Sequence, residues 1–420
     1  MPKTVTLREM PWYGDTEFEI DFPDSWDVHV CQMKGHDAPP LSNAAIKKAF
    51  ANTIGTETIR KLAKGKKEVV IIFDDMARPT PSAQIVPFVL EELAAAGIPD
   101  DNIRFIGAPG SHGTMNAEDF RKKLGDDTIA RFLVFNHNPY ENLTYLGKTS
   151  QGTPVYINSE VMACDLKIAI GCIVPHPLSG FGGGGKIILP GVAGIETIHA
   201  NHATFAPHPL CGIGECHNNP FKQDLDETAR MAGLDVKIDV ILNMKREISA
   251  LFVGNPTAEH EVGVKVAREH YATELVPDAD IVIANCYMKA NEIILGPLIA
   301  SSVLKPAGGD MVIIFNTPEG QIPMFWTRSW GKNMGGRGWY PRKSLPPNTK
   351  RLTILSPYPE RAAVDCIAPP HLVNWRRTWA EVLADLKETY GTKAKVVVLP
   401  DVTVQYFPGV RAGKPIGANK

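Results

Sequence analysis

The sequence lacks the features that mark membrane proteins and nucleic-acid-binding proteins. No apolar run in its 420 residues approaches the roughly 18–20 residues that a membrane-spanning helix needs. The N-terminal segment has no apolar stretch of the kind found in signal peptides. The formal net charge is −2 and no long basic run occurs, which argues against nucleic acid as the main partner. We therefore expect a cytoplasmic protein that binds neither membranes nor nucleic acid.

Cysteine is scarce, and its distribution indicates neither a disulfide framework nor a zinc site. The seven cysteines are an odd number scattered from Cys31 to Cys366, as is typical of reduced thiols. Cys211, Cys216 and His217 resemble half of a zinc site, but no second cysteine pair has a matching spacing. A zinc site is therefore not favoured.

The composition is ordinary for a soluble globular protein, and the length predicts two domains. Apolar residues make up 44% of the chain and charged residues 21%. A chain of 420 residues is too long to fold around a single hydrophobic core of ordinary size. Short apolar runs alternate with amphipathic helical patterns, which predicts two Rossmann-like α/β domains with the active site in the cleft between them. We place an N-terminal domain at residues 1–276 and a C-terminal domain at residues 277–420. The tail, about residues 406–420, could return to the first domain.

Apolar runs bounded by turn residues place the strands of both domains. The predicted strands are Glu68–Phe73, Ile103–Ile106, Phe132–Phe135, Val155–Ile157, Leu166–Ile173, Ile281–Ala284, Met311–Phe315, Leu352–Leu355 and Val396–Leu399, of which Glu68–Phe73 has the pattern of a buried parallel strand. Val236–Asn243 and Glu247–Val253 predict an antiparallel pair. The segment Trp326–Tyr340 holds three tryptophans and could be a lid, a pocket wall or an interface loop.

The most informative stretch runs from His176 to His202 and contains four consecutive glycines directly before Lys186. Glycine loses more backbone freedom on folding than any other residue, so such a run is expected where the backbone approaches a ligand or turns with positive φ. The spacing resembles a P-loop, but Ile187 stands where a P-loop has the Ser or Thr that holds Mg²⁺. Pro190 also interrupts any helix that begins at the lysine. A nucleotide kinase is therefore not favoured.

Three predicted strands end close to polar side chains. Glu68–Phe73 leads to Arg78, Ile103–Ile106 leads to His112, and Leu166–Ile173 leads to His176. Because the carboxyl ends of parallel strands form the usual site in such sheets, this set could hold a small carboxylate beside two acid/base groups. His199 and His202 would share one face if residues 194–203 are helical, and both could then reach a metal.

The ordered combination of these motifs resembles the nickel-pincer lactate racemase family. The resemblance rests on Asp75-x-x-Arg78-Pro and Gly-Ser-His112, on His176 followed ten residues later by Lys186, and on a further histidine sixteen residues beyond. It extends over most of the chain and includes the Pro-Gly pair after the lysine. No single motif would be specific, but their order and spacing together are.

The resemblance implies a cofactor, pyridinium-3,5-bisthiocarboxylic acid mononucleotide carrying nickel. It would be joined covalently to Lys186, with His202 as the protein ligand of the nickel, since square-planar Ni(II) accepts sulfur donors and an imidazole. Asp75 would orient Arg78 or contact the cofactor ribose. The glycines would let the flat cofactor lie against the backbone. The cofactor-binding residues implied are Lys186, Asp75, Gly182, Gly183, Gly184 and Gly185.

The chemistry implied by the resemblance is inversion of the C2 carbon of a 2-hydroxy acid by reversible oxidation. One of His112 and His176 would take the hydroxyl proton while the C2 hydrogen leaves as hydride, and the other would reprotonate the product. Arg78 would bind the substrate carboxylate. The protein would thus be an isomerase, a racemase or epimerase, that needs the cofactor-biosynthesis enzymes as maturation partners and could form a homo-oligomer.

One departure from the family concerns the substrate. The loop Asn285–Pro297 lacks the Tyr-Gln-x-x-Lys motif of the lactate racemases. We therefore predict a 2-hydroxy acid other than lactate, with Lys289, Asn291, Arg337 and Trp379 as candidate substrate-binding residues. Three alternatives remain at this stage: an aldonic-acid epimerase of the same family, an NAD-dependent 2-hydroxyacid dehydrogenase, and a non-catalytic nickel- or nucleotide-binding protein.

Overall fold

The structure, a computed structural model, describes residues 3–324, 342–360 and 364–410. Arg337 and the rest of the segment Trp326–Tyr340 lie outside these residues, as do residues 411–420 of the predicted tail. The chain divides into two compact units. Residues 37–269 form one unit, and the residues up to His36 together with those from His270 onward form the other.

The strands follow the apolar runs of the sequence closely. They are β1 (Lys3–Arg8), β2 (Glu17–Phe22), β3 (Asp27–Val30), β4 (Val69–Asp74), β5 (Ile103–Ala108), β6 (Leu133–Asn136), β7 (Leu143–Lys148), β8 (Pro154–Asn158), β9 (Leu166–Cys172), β10 (Pro175–His176), β11 (Gly180–Phe181), β12 (Val236–Leu242), β13 (Ile248–Gly254), β14 (Ile281–Asn285), β15 (Gly309–Ile314), β16 (Thr349–Leu355), β17 (Val373–Arg376) and β18 (Lys395–Leu399).

The helices fill the intervals between the strands. They are α1 (Asn43–Ala51), α2 (Ile59–Leu62), α3 (Val86–Ala95), α4 (Ala117–Leu124), α5 (Asp126–Arg131), α6 (Ser159–Ala163), α7 (Ile195–Phe205), α8 (Pro220–Met231), α9 (Pro256–His270), α10 (Leu295–Ala300) and α11 (Trp379–Tyr390). Among the described residues, no helix is both long and apolar enough to cross a membrane.

The unit of residues 37–269 is built on a six-stranded sheet. Its order is β13-β12-β9-β4-β5-β6, in which β13 is antiparallel to β12 and the other neighbours are parallel. Strands β4, β9 and β12 are buried along their whole length, as expected of central strands in a parallel sheet. The predicted antiparallel pair is therefore confirmed, and so is the α/β class with parallel sheets.

The other unit carries a fully parallel sheet of order β17-β16-β15-β14-β18-β3. Its edge strand β3 comes from the N-terminal segment, and Leu7, Phe22 and Trp26 pack in the same core as Ile283. The predicted domain of residues 1–276 differs from this division, because the first 36 residues add a strand and a hairpin to the unit formed by the C-terminal part.

One buried histidine makes the unit of residues 37–269 sensitive to acid. His137 follows β6; its Nε2 donates to the Ala193 carbonyl at 2.9 Å, and its Nδ1 accepts from Asn158 Nδ2 at 3.1 Å. Burial lowers the pKa of His137 to about 4. Below about pH 6.5 the His137 ring is protonated in the unfolded chain but stays neutral in the folded protein. The free energy of unfolding therefore falls as the pH drops from about 6.5 towards 4.

We therefore expect His137→Gln, whose amide can also donate and accept, to flatten the pH dependence of stability. Between pH 7 and pH 5 the free energy of unfolding should fall by about 2 kcal/mol less in the variant than in the original protein. Urea unfolding at the two pH values measures this difference. If the free energy of unfolding falls by the same amount in both proteins between pH 7 and pH 5, His137 is not a source of this pH dependence.

Candidate active site

The carboxyl ends of β4, β5 and β9 border an open cavity. The sequence predicted a site at this edge, where parallel strands end. Of the predicted residues, Asp75, Arg78, His112, Gly183 and Lys186 line the cavity, whereas His176 and His202 are not among the described residues that line it. Further lining residues include Asp74, which follows the predicted strand Glu68–Phe73, and Gly171, Cys172 and Lys237, which the sequence did not suggest.

His112 is held by a buried carboxylate. Its Nδ1 lies 2.6 Å from Asp75 Oδ2, while Asp75 Oδ1 accepts a hydrogen bond from the Ala77 N–H at 3.2 Å. Burial raises the pKa of the Asp75 carboxyl, but the charge and hydrogen bond of His112 and the charge of Arg78 bring the pKa below its ordinary value. The ionised carboxylate therefore orients the imidazole and directs Nδ1 towards itself, so that Nε2 is the nitrogen able to accept a proton. The structure thus gives Asp75 a partner that the sequence did not suggest.

The loop that carries Arg78 is held by Lys123, from helix α4. Lys123 is fully buried, and its Nζ donates to Asp74 Oδ1 at 2.6 Å, to the Arg78 carbonyl at 3.0 Å and to the Thr80 carbonyl at 3.3 Å. Asp74 Oδ2 also accepts a hydrogen bond from the Thr80 hydroxyl. Lys123 thus positions the backbone on which Arg78 stands. No local pattern indicates this role, because Lys123 ends a basic run of the kind found on exposed helix faces.

We expect Lys123→Met to lower the free energy of unfolding by about 3–5 kcal/mol, since Asp74 would remain buried without its cation. The half-exposed neighbour Lys122 provides the control, and Lys122→Met should change stability by no more than about 1 kcal/mol. Urea unfolding measures both. A loss at position 123 no greater than that at position 122 would show that the buried ion pair does not hold this loop.

The glycine run is fixed by close packing against two buried side chains. Gly183 and Gly184 have φ values of +86° and +54°, and a Cβ at Gly183 would lie 2.6 Å from Asp239 Oδ2. That oxygen accepts a hydrogen bond from the Gly184 N–H at 2.6 Å, and His260 Nε2 donates to the Gly182 carbonyl at 2.8 Å.

The reason for the glycines therefore differs in part from the sequence-based expectation. Of the four, only Gly183 lines the cavity. A Cβ at Gly184 would lie 2.9 Å from the His260 ring, and one at Gly185 would lie 3.0 Å from the Ala229 Cβ. Packing within the protein, as well as room for a ligand, thus requires these positions to be glycine. The short 3₁₀ helix Gly184–Ile187 that follows carries Lys186 to the cavity wall.

Lys237 reaches the same cavity through a gap left by Gly171. Gly171 lies opposite Asp239 in the sheet, and a Cβ there would lie 2.9 Å from Lys237 Nζ. Lys237 and Asp239 are both fully buried and form an ion pair of 2.5 Å. The sequence contains a signal for this pair, because two charged residues spaced two apart in an apolar strand share one face of the sheet.

His202 has the features of a histidine that can bind a metal. It lies on α7, where its Nδ1 donates to the Ile198 carbonyl at 2.9 Å. Burial and the charge of Lys186 lower the pKa of His202 to about 3, so the ring is neutral and its Nε2 carries a lone pair. His199 lies on the same helix, as predicted.

The described part of the chain does not by itself supply a complete metal site. In residues 3–324, 342–360 and 364–410, no group of three or more His, Cys, Asp or Glu side chains is arranged to hold a metal ion. The cysteines of the half zinc motif form hydrogen bonds instead: Cys211 Sγ donates to Asn219 Oδ1, and Cys216 Sγ donates to the Ser179 carbonyl.

The candidate substrate residues of the other unit have structural partners. Lys289 is buried and forms an ion pair of 2.8 Å with Glu292, and Asn291 Nδ2 donates to Glu319 Oε1 at 3.1 Å. Trp379 begins α11, where it packs edge-on against Phe22, and its Nε1 donates to the Asp21 carbonyl at 2.9 Å. Arg337 lies outside the described residues.

The sequence also matches known proteins. Residues 13–214 match the family model described as the lactate racemase N-terminal domain, a range that contains Asp75, Arg78, His112, His176, Lys186 and His202. The chain is 32% identical over 282 residues to the lactate racemase of Thermoanaerobacterium thermosaccharolyticum, covering 66% of each chain. It is 28% identical over 395 residues to that of Lactiplantibacillus plantarum, covering 85% of this chain and 88% of the relative.

Solved structures show the same fold. The lactate racemase apoprotein from Thermoanaerobacterium thermosaccharolyticum superposes with a TM-score of 0.71 at 23% identity, covering 96% of this chain and 100% of that one. A protein from Thermotoga maritima superposes with a TM-score of 0.65 at 17% identity, covering 87% of this chain and 98% of that one.

Proposed function

This chain belongs to the lactate racemase family, a family of isomerases, and we propose that it inverts the C2 carbon of a 2-hydroxy acid with the help of a nickel-pincer nucleotide attached to Lys186. The observation that carries the proposal is the cavity of the unit of residues 37–269. Four side chains line this cavity together. They are the base His112 with its carboxylate partner Asp75, the carboxylate-binding cation Arg78, and Lys186.

The residues present fit the proposed cofactor. The cavity at the carboxyl ends of β4, β5 and β9 is where the cofactor would lie. Lys186 stands at its wall on a loop held by buried side chains, and His202 offers a neutral imidazole whose other nitrogen is already bound. Lys186 would bear the cofactor and His202 would bind the nickel. When bound, the cofactor would supply the acceptor and donor of the C2 hydrogen as hydride.

The protein residues would bind the substrate and move its hydroxyl proton. Arg78 would hold the carboxylate by paired N–H donors, because a guanidinium matches both oxygens at once. His112 would take the hydroxyl proton at Nε2, and the negative charge of Asp75 would stabilise the imidazolium that forms. A non-catalytic carrier would have no use for this dyad, and the glycine run lacks the strand–turn–helix context of an NAD site.

We also propose that the substrate is not lactate. The loop Asn285–Pro297 lacks the family's Tyr-Gln-x-x-Lys motif, and the lysine it does contain, Lys289, is engaged by Glu292. The wall that contacts the substrate in lactate racemases would therefore differ here. Malate-like and aldonic acids are the alternatives to test.

A screen of single enantiomers tests the proposed function. Protein produced together with the cofactor-biosynthesis enzymes and nickel would be incubated with lactate, malate, aldonic and other 2-hydroxy acids, and the products separated by chiral chromatography. We expect inversion at C2 of at least one acid other than lactate. Protein produced without those enzymes is the control and should be inactive. No inversion of any acid by loaded protein would contradict the proposal.

A further inference from the structure

Lys237 is a buried cation at the cavity wall, and the proposed reaction makes no use of it. We propose that Lys237 is an anion-binding residue, which holds a carboxylate or phosphate group in addition to the carboxylate that Arg78 would hold. This second anion would be a further carboxylate of the substrate or the phosphate of the mononucleotide. The source of the anion rests on the proposed function, whereas the binding of an anion at Lys237 does not.

The ammonium group of Lys237 has more hydrogen-bond donors than the described part of the protein uses. Its Nζ donates to Asp239 Oδ1 at 2.5 Å and to the Ile238 carbonyl at 2.9 Å. A lysine ammonium has three N–H donors, so these two acceptors leave one donor over. The side chain is fully buried, and a buried donor without an acceptor is costly. Because Lys237 lines the cavity, a molecule bound there can accept the third hydrogen bond.

Gly171 gives the ammonium group its access to the cavity. Both residues line the cavity, and a Cβ at Gly171 would lie 2.9 Å from Lys237 Nζ. Any larger residue at this position would therefore displace the ammonium or separate it from a bound molecule. Glycine weakens the interior of a strand and often marks a place where a ligand comes close. Its presence in the fully buried strand β9 is consistent with a ligand at Lys237.

The acids beside Lys237 leave its charge only partly neutralised. Asp239 offers Lys237 one oxygen, because its Oδ2 accepts the hydrogen bond from the Gly184 N–H. Glu259 is the other acid close by and is fully buried. Burial, together with the charge of Asp239, raises the pKa of the Glu259 carboxyl well above its ordinary value. The neutral form of Glu259 is thus favoured, and Asp239 is the acid that balances the ammonium.

The two carboxylates that line the cavity are themselves engaged by groups of the protein. Asp74 Oδ1 accepts from Lys123 Nζ at 2.6 Å, and Asp75 is engaged by its imidazole partner. A negatively charged ligand therefore meets Arg78 and Lys237 as cations of the cavity wall. A guanidinium holds a carboxylate by two donors, whereas an ammonium is a point charge that suits carboxylate and phosphate alike. This pair of cations favours molecules with two anionic groups over molecules with one.

Calorimetric titration of the full-length apoprotein at pH 7 tests the anion site without any turnover. The probes are malate, which has two carboxylates, inorganic phosphate, and lactate, which has one carboxylate. We expect malate, phosphate or both to bind about 10-fold more tightly than lactate, because the third N–H of Lys237 adds a charge-assisted hydrogen bond. Lys237→Met should lose this preference. Loss of the preference, rather than of all binding, separates an anion site from a merely structural role.

A matched control and a second variant keep the test decisive. Lys167 is also buried, in the neighbouring strand β9, and is not among the described residues that line the cavity, so Lys167→Met should keep the preference. Gly171→Ala leaves the ion pair in place but puts a methyl group 2.9 Å from Lys237 Nζ. It should also lose the preference, and it decides the question if Lys237→Met does not fold. No preference in the original protein, or an unchanged preference in these variants, would overturn the anion site.

Protein loaded with cofactor distinguishes the two sources of the anion. If the substrate supplies it, Lys237→Met should keep its adduct and its nickel, and the KM for dicarboxylic acids should rise about 10-fold. If the nucleotide phosphate supplies it, Lys237→Met should carry less adduct and less nickel. An unchanged adduct with an unchanged KM for every acid that is inverted would overturn the proposal. Failure to invert any acid would refute the proposed function and leave the titration result standing.

Discussion

Arginine in place of Lys186 is expected to leave the protein folded but unable to carry the cofactor covalently. The guanidinium keeps the positive charge at the cavity wall, but it is not deprotonated in proteins and so cannot serve as the amine that becomes attached. The loop itself should be preserved, because Asp239 and His260 hold it through the backbone of Gly184 and Gly182.

The intact mass and the nickel content of both proteins measure this effect. After production with the cofactor-biosynthesis enzymes, the original protein should show an adduct of several hundred daltons and about one nickel per chain. Lys186→Arg should show no adduct. Lys245→Arg, at an exposed position, is the matched control and should retain it. An adduct of unchanged mass in Lys186→Arg would show that the cofactor is not attached to Lys186.

Glutamine in place of His112 should have the second largest effect, a loss of turnover of about 10²–10⁴-fold. Glutamine fills a similar volume and can hydrogen-bond to Asp75, but it cannot accept the hydroxyl proton. The KM should change little, because Arg78 provides the contact with the substrate carboxylate. The covalent adduct should remain, which distinguishes lost catalysis from lost cofactor.

The kinetic comparison uses the 2-hydroxy acid that the enantiomer screen identifies. His217→Gln is the control, since His217 is exposed and does not line the cavity. It should leave kcat unchanged. A His112→Gln enzyme that retains its adduct and turns over within a few-fold of the original protein would mean that another group removes the proton.

The sequence predicted the strands and the main site residues because both leave local patterns. Uninterrupted apolar runs identified β4, β5 and β9, and the parallel arrangement then placed Asp75, Arg78 and His112 at one edge of the sheet. Spacing alone also placed His202 on the same helix as His199.

What the sequence did not reveal depends on contacts between distant segments. Lys123 lies 49 positions from Asp74, and nothing in its own helix distinguishes it from its exposed neighbours. Asp239 lies 55 positions from the glycine it holds. The N-terminal strand β3 joins β18, which begins at Lys395, and no local pattern indicates this pairing.

The proposed hydride transfer is tested by the fate of the hydrogen at C2 when loaded protein inverts a single-enantiomer 2-hydroxy acid in deuterium oxide. Transfer as hydride predicts that the opposite enantiomer keeps its original hydrogen at C2, since that hydrogen leaves and returns without exchange with solvent. Mass spectrometry of the separated enantiomers measures this. Deuterium at C2 of the inverted product would contradict the account, because it would show that the hydrogen leaves as a proton.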